Sequence, residues 1–186
     1  MVRAAAPTTA TAATPRNDRF CLTNAYMESN TDLVRISFAT NPGGLGGGSP
    51  ERLWARRLPD EHALFELHNS PFYAKGVSFL DVVEAVEDGQ NAGVLRYSRT
   101  RCSSGHSTYR LLVAKASEGF GKRWESLEEL GCTYEFADEG ENILYALDVP
   151  PNANIFEVYG ILEKGEQDGA WHFDEGHCGH PTERPH

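Results

Sequence analysis

Alternation of apolar and polar positions dominates the first half of the chain. In Leu33–Ala39, Val34, Ile36 and Phe38 alternate with Arg35 and Ser37, which predicts a half-buried strand. Arg52–Leu58 and His62–Leu67 read as a hairpin around Pro59-Asp60-Glu61. Asn69–Gly76 is a turn-rich bend, and strand character resumes from Val77 to Val86 with Asp81 embedded among apolar residues. Glu87–Asn91 makes a turn, and Gly93–Thr100 is a further strand. The four short strands from Arg52 onward, joined by tight turns, suggest a small, curled antiparallel sheet or partial barrel.

Beyond residue 104 the period changes. Ser107–Ala114 alternates as a strand; Phe120, Trp124, Leu127 and Leu130 then recur at helical spacing, with Gly131 placed to end the helix. Thr133–Phe136 and Ile143–Val149 are strands flanking an acidic turn at 137–142, and Pro150-Pro151 stops the second. Asn154 with Glu157 predicts a capped helix whose stripe is Ile155, Val158, Tyr159 and Leu162. Ala170–Phe173 closes with a short strand.

The order β-α-β-β-α-β is that of the split βαβ, ferredoxin-like arrangement, with both helices on one face of a four-stranded sheet. The expected fold class is therefore α+β. A disordered arm (1–30) leads into a β-rich unit (31–103), a ferredoxin-like unit (104–178) and a flexible tail (179–186). On the sheet's other face Leu112 and Leu144 need a cover, either the N-terminal unit or a bound partner.

The size, 186 residues, fits one domain or two small ones sharing a core. No apolar run reaches the length of a membrane span, and the Ala/Thr/Pro-rich stretch Ala4–Pro15 lacks the apolar core of a signal peptide, which points to a cytoplasmic protein. Asn41–Pro50 is Gly-rich, but without a Walker lysine and hydroxyl it reads as a connector. Nothing in the sequence calls for a nucleotide, flavin or other cofactor. Cys21, Cys102, Cys132 and Cys178 are widely spaced and read as reduced thiols.

Net charge is −10 and uneven: residues 1–117 hold 13 Lys/Arg against 11 Asp/Glu, residues 118–186 hold 4 against 16. Such an acidic half disfavours nucleic acid as a partner.

The sharpest cluster of chemistry is Ser104, His106, Ser107 and Arg110. A histidine can act as acid, base or ligand, and the arginine fork suits a carboxylate, including a peptide terminus. The structural alternative has His106 capping a turn and Arg110 paired with Asp148 one strand over. Gly105–Tyr109 matches a nucleophile elbow only in its first three positions and precedes a strand, so it is no hydrolase motif. His177, Cys178 and His180 carry metal-ligating groups, but a terminal Gly/Pro-rich segment is a poor cage and no metal is expected. Lys75 and Asp81 fit a pair fixing the loop; Phe72 and Tyr73, beside Pro71, are candidates to face a ligand.

Several phrases, taken together, resemble an uncharacterised bacterial domain family of unknown function. They are Arg52-Leu53-Trp54, Asn69-Ser70-Pro71-Phe72-Tyr73-Ala74-Lys75-Gly76, Asp81-Val82-Val83, Ser104–Arg110, Leu147-Asp148-Val149-Pro150-Pro151 and the tail from Gly165-Glu166 to Gly176. The chain also resembles small accessory proteins of ribosomal-peptide pathways such as crocagin-type clusters, a likeness that implies binding of a precursor peptide for a tailoring enzyme. The Ala/Thr-rich arm and Gly-rich insert depart from the compact family pattern.

The function expected is thus a peptide-binding accessory protein, self-associating through a sheet edge as a homodimer, with Ser104, His106, Ser107, Arg110, Phe72, Tyr73 and Lys75 as its surface. Two alternatives stand beside it: a small hydrolase or peptide cyclase using His106 as general base, and an immunity-type protein whose acidic half blocks a basic toxin.

Overall fold

The computed structural model describes residues 33–40, 48–59, 63–89, 91, 93–117 and 119–182. The N-terminal arm with Cys21, most of the Gly-rich connector, the hairpin tip at 60–62 and the last four residues lie outside that set.

The architecture is mixed α and β, mostly strand. Strands β1 (Leu33–Phe38), β2 (Glu51–Arg57), β3 (Leu64–Leu67), β4 (Val82–Glu87) and β5 (Leu95–Cys102) form a closed barrel in sequence order. Strict alternation produces its core: Ile36, Phe38, Leu53, Ala55, Phe65, Leu67, Val83 and Ala85 point inward and are buried. Phe38 stacks on Tyr97 at 4.6 Å between centroids. The barrel closes where only a partial one was expected. A short parallel pairing of β1 with β5, Ile36 opposite Leu95 and Ser37 opposite Arg96, completes the ring. Sequence periodicity cannot show such a pairing, because it joins segments some sixty positions apart.

The strand expected from Val77 begins only at Val82. Asp81 is the cause: its carboxylate accepts the Ser78 N–H at 2.9 Å, its N–H reaches the Ser78 carbonyl, and Leu80 takes a left-handed φ of 63°. An apolar run with one embedded aspartate is here a side-chain-closed turn followed by a strand.

The second unit runs β6 (Ser107–Ala114), α1 (Phe120–Glu129), β7 (Thr133–Glu139), β8 (Asn142–Val149), α2 (Ile155–Gln167), β9 (His172–His177). Its sheet order is β7-β8-β6-β9, antiparallel throughout. Gly131 ends α1 with φ 84°, and Asn154 caps α2 by accepting the Phe156 N–H. The β7–β8 turn is tighter than the 137–142 span expected, since both strands run on to meet at Gly140-Glu141.

One sheet face carries Tyr109, Leu111, Val113, Leu147 and Val149 against Val158 and Leu162 of α2. At its end Gly165 admits the Trp171 indole, whose Nε1–H donates to the Leu162 carbonyl at 3.0 Å. On the opposite face Phe72 of the barrel's loop packs on Leu144 and Ala146, flanked by Tyr73, Leu112 and Ala137. Of the two covers expected for that face, the chain's own loop is the one present. Among the described residues no helix is long and apolar enough to cross a membrane.

Candidate functional site

The bend at 69–76, the linker 103–106, the start of β6, the end of β8 and the tail meet at one junction. A barrel loop enters it held by side chains: Asn69 Oδ1 accepts the Trp54 N–H at 2.7 Å, and the Glu51 carboxylate accepts three consecutive amides, those of Phe72, Tyr73 and Ala74. The Tyr73 hydroxyl donates to Glu139, and burial first, then that carboxylate, pushes the phenol well above its ordinary range. Phe72 and Tyr73 therefore face β7 and β8 of their own chain.

Asp81 is wholly buried and binds the linker to the barrel. Its Oδ1 accepts from both the Ser104 N–H (2.7 Å) and the Ser104 hydroxyl (3.0 Å). Ser104 Oγ in turn accepts the His106 N–H. Thr108 Oγ1 donates to Ser78 Oγ, a second bridge between sheet and barrel.

Arg110, 2 % exposed, is not aimed at a ligand. Its Nε–H donates to Asp174 Oδ1 at 2.6 Å, a second guanidinium nitrogen donates to Oδ2, and Lys75 Nζ lies 3.6 Å from the same carboxylate. The partner expected for Arg110 was Asp148, and for Lys75 it was Asp81; Asp174 takes both. The reason is register, because Asp174 on β9 sits directly opposite Arg110, whereas Asp148 on β8 sits opposite Thr108.

Asp148 instead pairs with His106. Its Oδ1 is 2.8 Å from Nδ1, and its Oδ2 accepts weakly from Thr133 Oγ1. A carboxylate can only accept, so Nδ1–H donates to it and the ring's orientation is fixed. The Phe79 ring lies edge-on to the imidazole at 5.5 Å. Nε2 has no hydrogen-bond partner among the described residues and is not sealed from solvent. Cys132, beneath Asp148, has its thiol pushed up to about 12, by burial first and then by that charge, so it is no nucleophile at neutral pH.

Ser107 is fully buried and committed elsewhere. Its hydroxyl donates to His180 Nδ1 at 2.7 Å while accepting the Gly179 N–H at 3.0 Å; His180 Nε2–H reaches the Pro150 carbonyl. The tail, expected to be loose from 179 onward, is thus anchored through His180. Gly179 lies so close that a Cβ there would meet the His106 carbonyl oxygen at 2.3 Å. Among the described residues no group of His, Cys, Asp or Glu is arranged to hold a metal; His177, Cys178 and His180 do not converge.

A second surface escaped the reading of the sequence. β7 ends the sheet, and half-buried aromatics gather beside it: Phe120 stacks on Tyr145 at 4.1 Å, Trp124 meets Tyr134 edge-on at 4.4 Å, and Phe136 lies 6.0 Å from Tyr145. Burial, and after it the neighbouring Tyr134, pushes the Tyr145 phenol up to about 12. The signal was present as Tyr134 and Phe136 alternating on one strand, but only the sheet order makes that strand an edge.

Residues 51–173 match a family described as a domain of unknown function, DUF4265. The chain belongs to that family. Among solved structures it is similar to that of a hypothetical protein from Neisseria gonorrhoeae, with a TM-score of 0.60 and 19 % identity, covering 79 % of this chain and 94 % of that one. At that identity the likeness shows the fold alone. No curated protein matches the chain. The family segment opens at Glu51, the residue that clamps the 72–74 amides, and spans Asp81, His106, Arg110 and Asp148 before ending within β9.

Proposed function

We propose that this DUF4265 protein is a peptide-binding accessory protein that holds an extended segment, such as the precursor peptide of a natural-product pathway, for a modifying enzyme. The site is the margin of β7 and not the histidine–arginine corner, where Ser104, Ser107 and Arg110 are held by internal contacts and His106 keeps one ring nitrogen open. One observation supports the reading: the terminal strand of the sheet is bordered by the half-buried rings of Phe120, Trp124, Phe136 and Tyr145. A strand added there gains main-chain pairing, and its alternate side chains reach an aromatic shelf that gives selectivity. The strand order and all-antiparallel pairing of the second unit support the ferredoxin-like description, in which the second of four strands forms an edge.

Selection of a random peptide library on the immobilised protein tests this. Selected peptides are expected to slow amide exchange in β7 and to lose affinity at least ten-fold on Phe136→Ala. Protection that falls elsewhere, or a selection that enriches nothing, would sink the reading.

The Asp148–His106 pair favours a second one, a small hydrolase or peptide cyclase with His106 as general base. An imidazole oriented by a carboxylate and open at Nε2 is competent for that role. No hydroxyl or thiol among the described residues lies within hydrogen-bond reach of Nε2, so the nucleophile would come from the substrate. His106→Ala separates the two readings: it abolishes turnover of a cyclised or cleaved peptide if chemistry occurs here, and leaves affinity for selected peptides within a few-fold if it does not.

A further inference from the structure

The outer face of the barrel carries a second surface, independent of the β7 site. Ser37 sits opposite Arg52 on β2 and opposite Arg96 on β5, so both arginines flank β1 on the solvent side. One step along, Arg35 sits opposite Trp54 with its guanidinium 4.3 Å from the ring centroid. Arg35, Arg52 and Arg96 are all exposed, and none has a carboxylate partner among the described residues. Elsewhere on the barrel Arg99 and Arg101, by contrast, share the Glu84 carboxylate.

The helical layer of the second unit is the opposite in charge. Glu125 and Glu129 on α1 and Glu157 and Glu163 on α2 are exposed, whereas Arg123 and Lys164 of the same layer are both taken by Asp168. An open groove runs between the two helices, lined by Glu129, Glu157, Leu130 and Ile161 together with the Arg123–Asp168–Lys164 cluster.

We propose that the arginine face of the barrel docks onto the acidic helical layer of a second copy of this chain. Charge decides the geometry. Like faces repel, so the contact pairs the arginine face of one copy with the acidic layer of another; because the helices cover the sheet face that the barrel's loop does not, the two surfaces lie apart on the molecule and the contact runs head to tail. Arginine suits the role, because its planar fork meets carboxylates two-pronged and its flat face rests on Trp54. A second copy supplies, in its exposed Glu125, Glu129, Glu157 and Glu163, the carboxylates that these arginines lack and that suit their planar fork. A head-to-tail contact does not close at two copies, so assembly grows with concentration into rings or short filaments and is dissolved by salt.

Sedimentation and light scattering of the described protein, from low micromolar to near-millimolar in low salt, test this. The weight-average mass should climb past twice that of the monomer and return to monomer at about 0.5 M salt, where the screening length has shrunk to a few ångström. Arg52→Glu with Arg96→Glu should stay monomeric, as should Glu125→Lys with Glu129→Lys. Mixed, the neutral variants Arg52→Gln with Arg96→Gln (acidic layer intact) and Glu125→Gln with Glu129→Gln (arginine face intact) have one sound surface each, and should form a one-to-one pair that grows no further. Circular dichroism melts confirm folding, and the neutral pair Arg52→Gln, Arg96→Gln gives the same loss of growth should the reversed charges lower the melt. A monomer at every concentration, a mass that stops at two copies, or growth unaffected by salt overturns the proposal. So does tight binding of a single-stranded oligonucleotide that the arginine variant loses while the mass stays monomeric.

Discussion

The two units of this molecule solve the problem of the exposed sheet edge and face in different ways. The barrel leaves neither: its strands close in a ring around one apolar interior. The four-stranded sheet is open at both ends of its order, and its helices cover one face only. The second face is finished by Phe72 and its neighbours, residues that belong in sequence to the barrel. The barrel is thus self-sufficient, whereas the sheet is completed by a borrowed loop. Polar side chains follow the same division. Glu51, Asn69 and Asp81 each hold a loop that reaches across, so these side-chain acceptors sit where one unit meets the other.

The sharpest way to break that comparison lies inside the sheet unit. Gly165→Ala places a Cβ 2.1 Å from the Trp171 ring, which must leave its slot; the expected loss is about 4 kcal/mol, on the scale of removing a buried aromatic. Gly160→Ala, on the same helix with nothing within 4 Å, should instead stabilise by about 0.5–1 kcal/mol. Paired urea melts read by tryptophan fluorescence compare the two, and an equal effect would mean the slot is not rigid.

Phe72→Ala tests the borrowed cover. It should cost about 3 kcal/mol and raise amide exchange in β8 and β7 while leaving β1–β3 protected. Equal loss of protection in the barrel would show that the two units unfold as one.

Asp81→Ala strips the acceptor from the Ser78 and Ser104 amides together, at an expected cost of about 2–3 kcal/mol. Here the barrel–linker junction should loosen first, visible as lost amide protection at 78 and 104.

The smallest effect is alkaline. Folding raises the Cys132 thiol from an ordinary 9.0 to about 12 and the Tyr145 phenol from 10.0 to about 12. A raised value means full stability below the unfolded figure and loss as pH climbs, so stability should decline from about pH 9 upward. Cys132→Ala should remove the earliest part of that decline; a wild-type-like profile would place the titration elsewhere.

Local pattern reached a long way into the second unit. The alternation of Ser107–Ala114, the Phe120–Leu130 stripe, Gly131 and the Asn154 cap each act within a few residues of themselves, so their positions could be read without knowing what they pack against. The same holds for the barrel's inward-facing strands. Val77–Asp81 misled because a side-chain hydrogen bond, not periodicity, ends that segment as a strand.

Partnership was another matter. Arg110, Asp148, His106 and Lys75 were recognisable as chemistry, yet which carboxylate each would find depended on strand register, on Asp174 falling opposite Arg110 and Asp148 beside His106. Ser107 and His180 stand far apart along the chain and meet only because the tail folds back over the linker. The amino-acid sequence by itself determined which segments are helix or strand and which faces are apolar, since those follow from neighbours at two- or three-to-four-residue spacing. Tertiary structure alone decided closure, edges and polar partners. Those depend on pairings between distant segments, and a shift of one register position would rewrite every one of them.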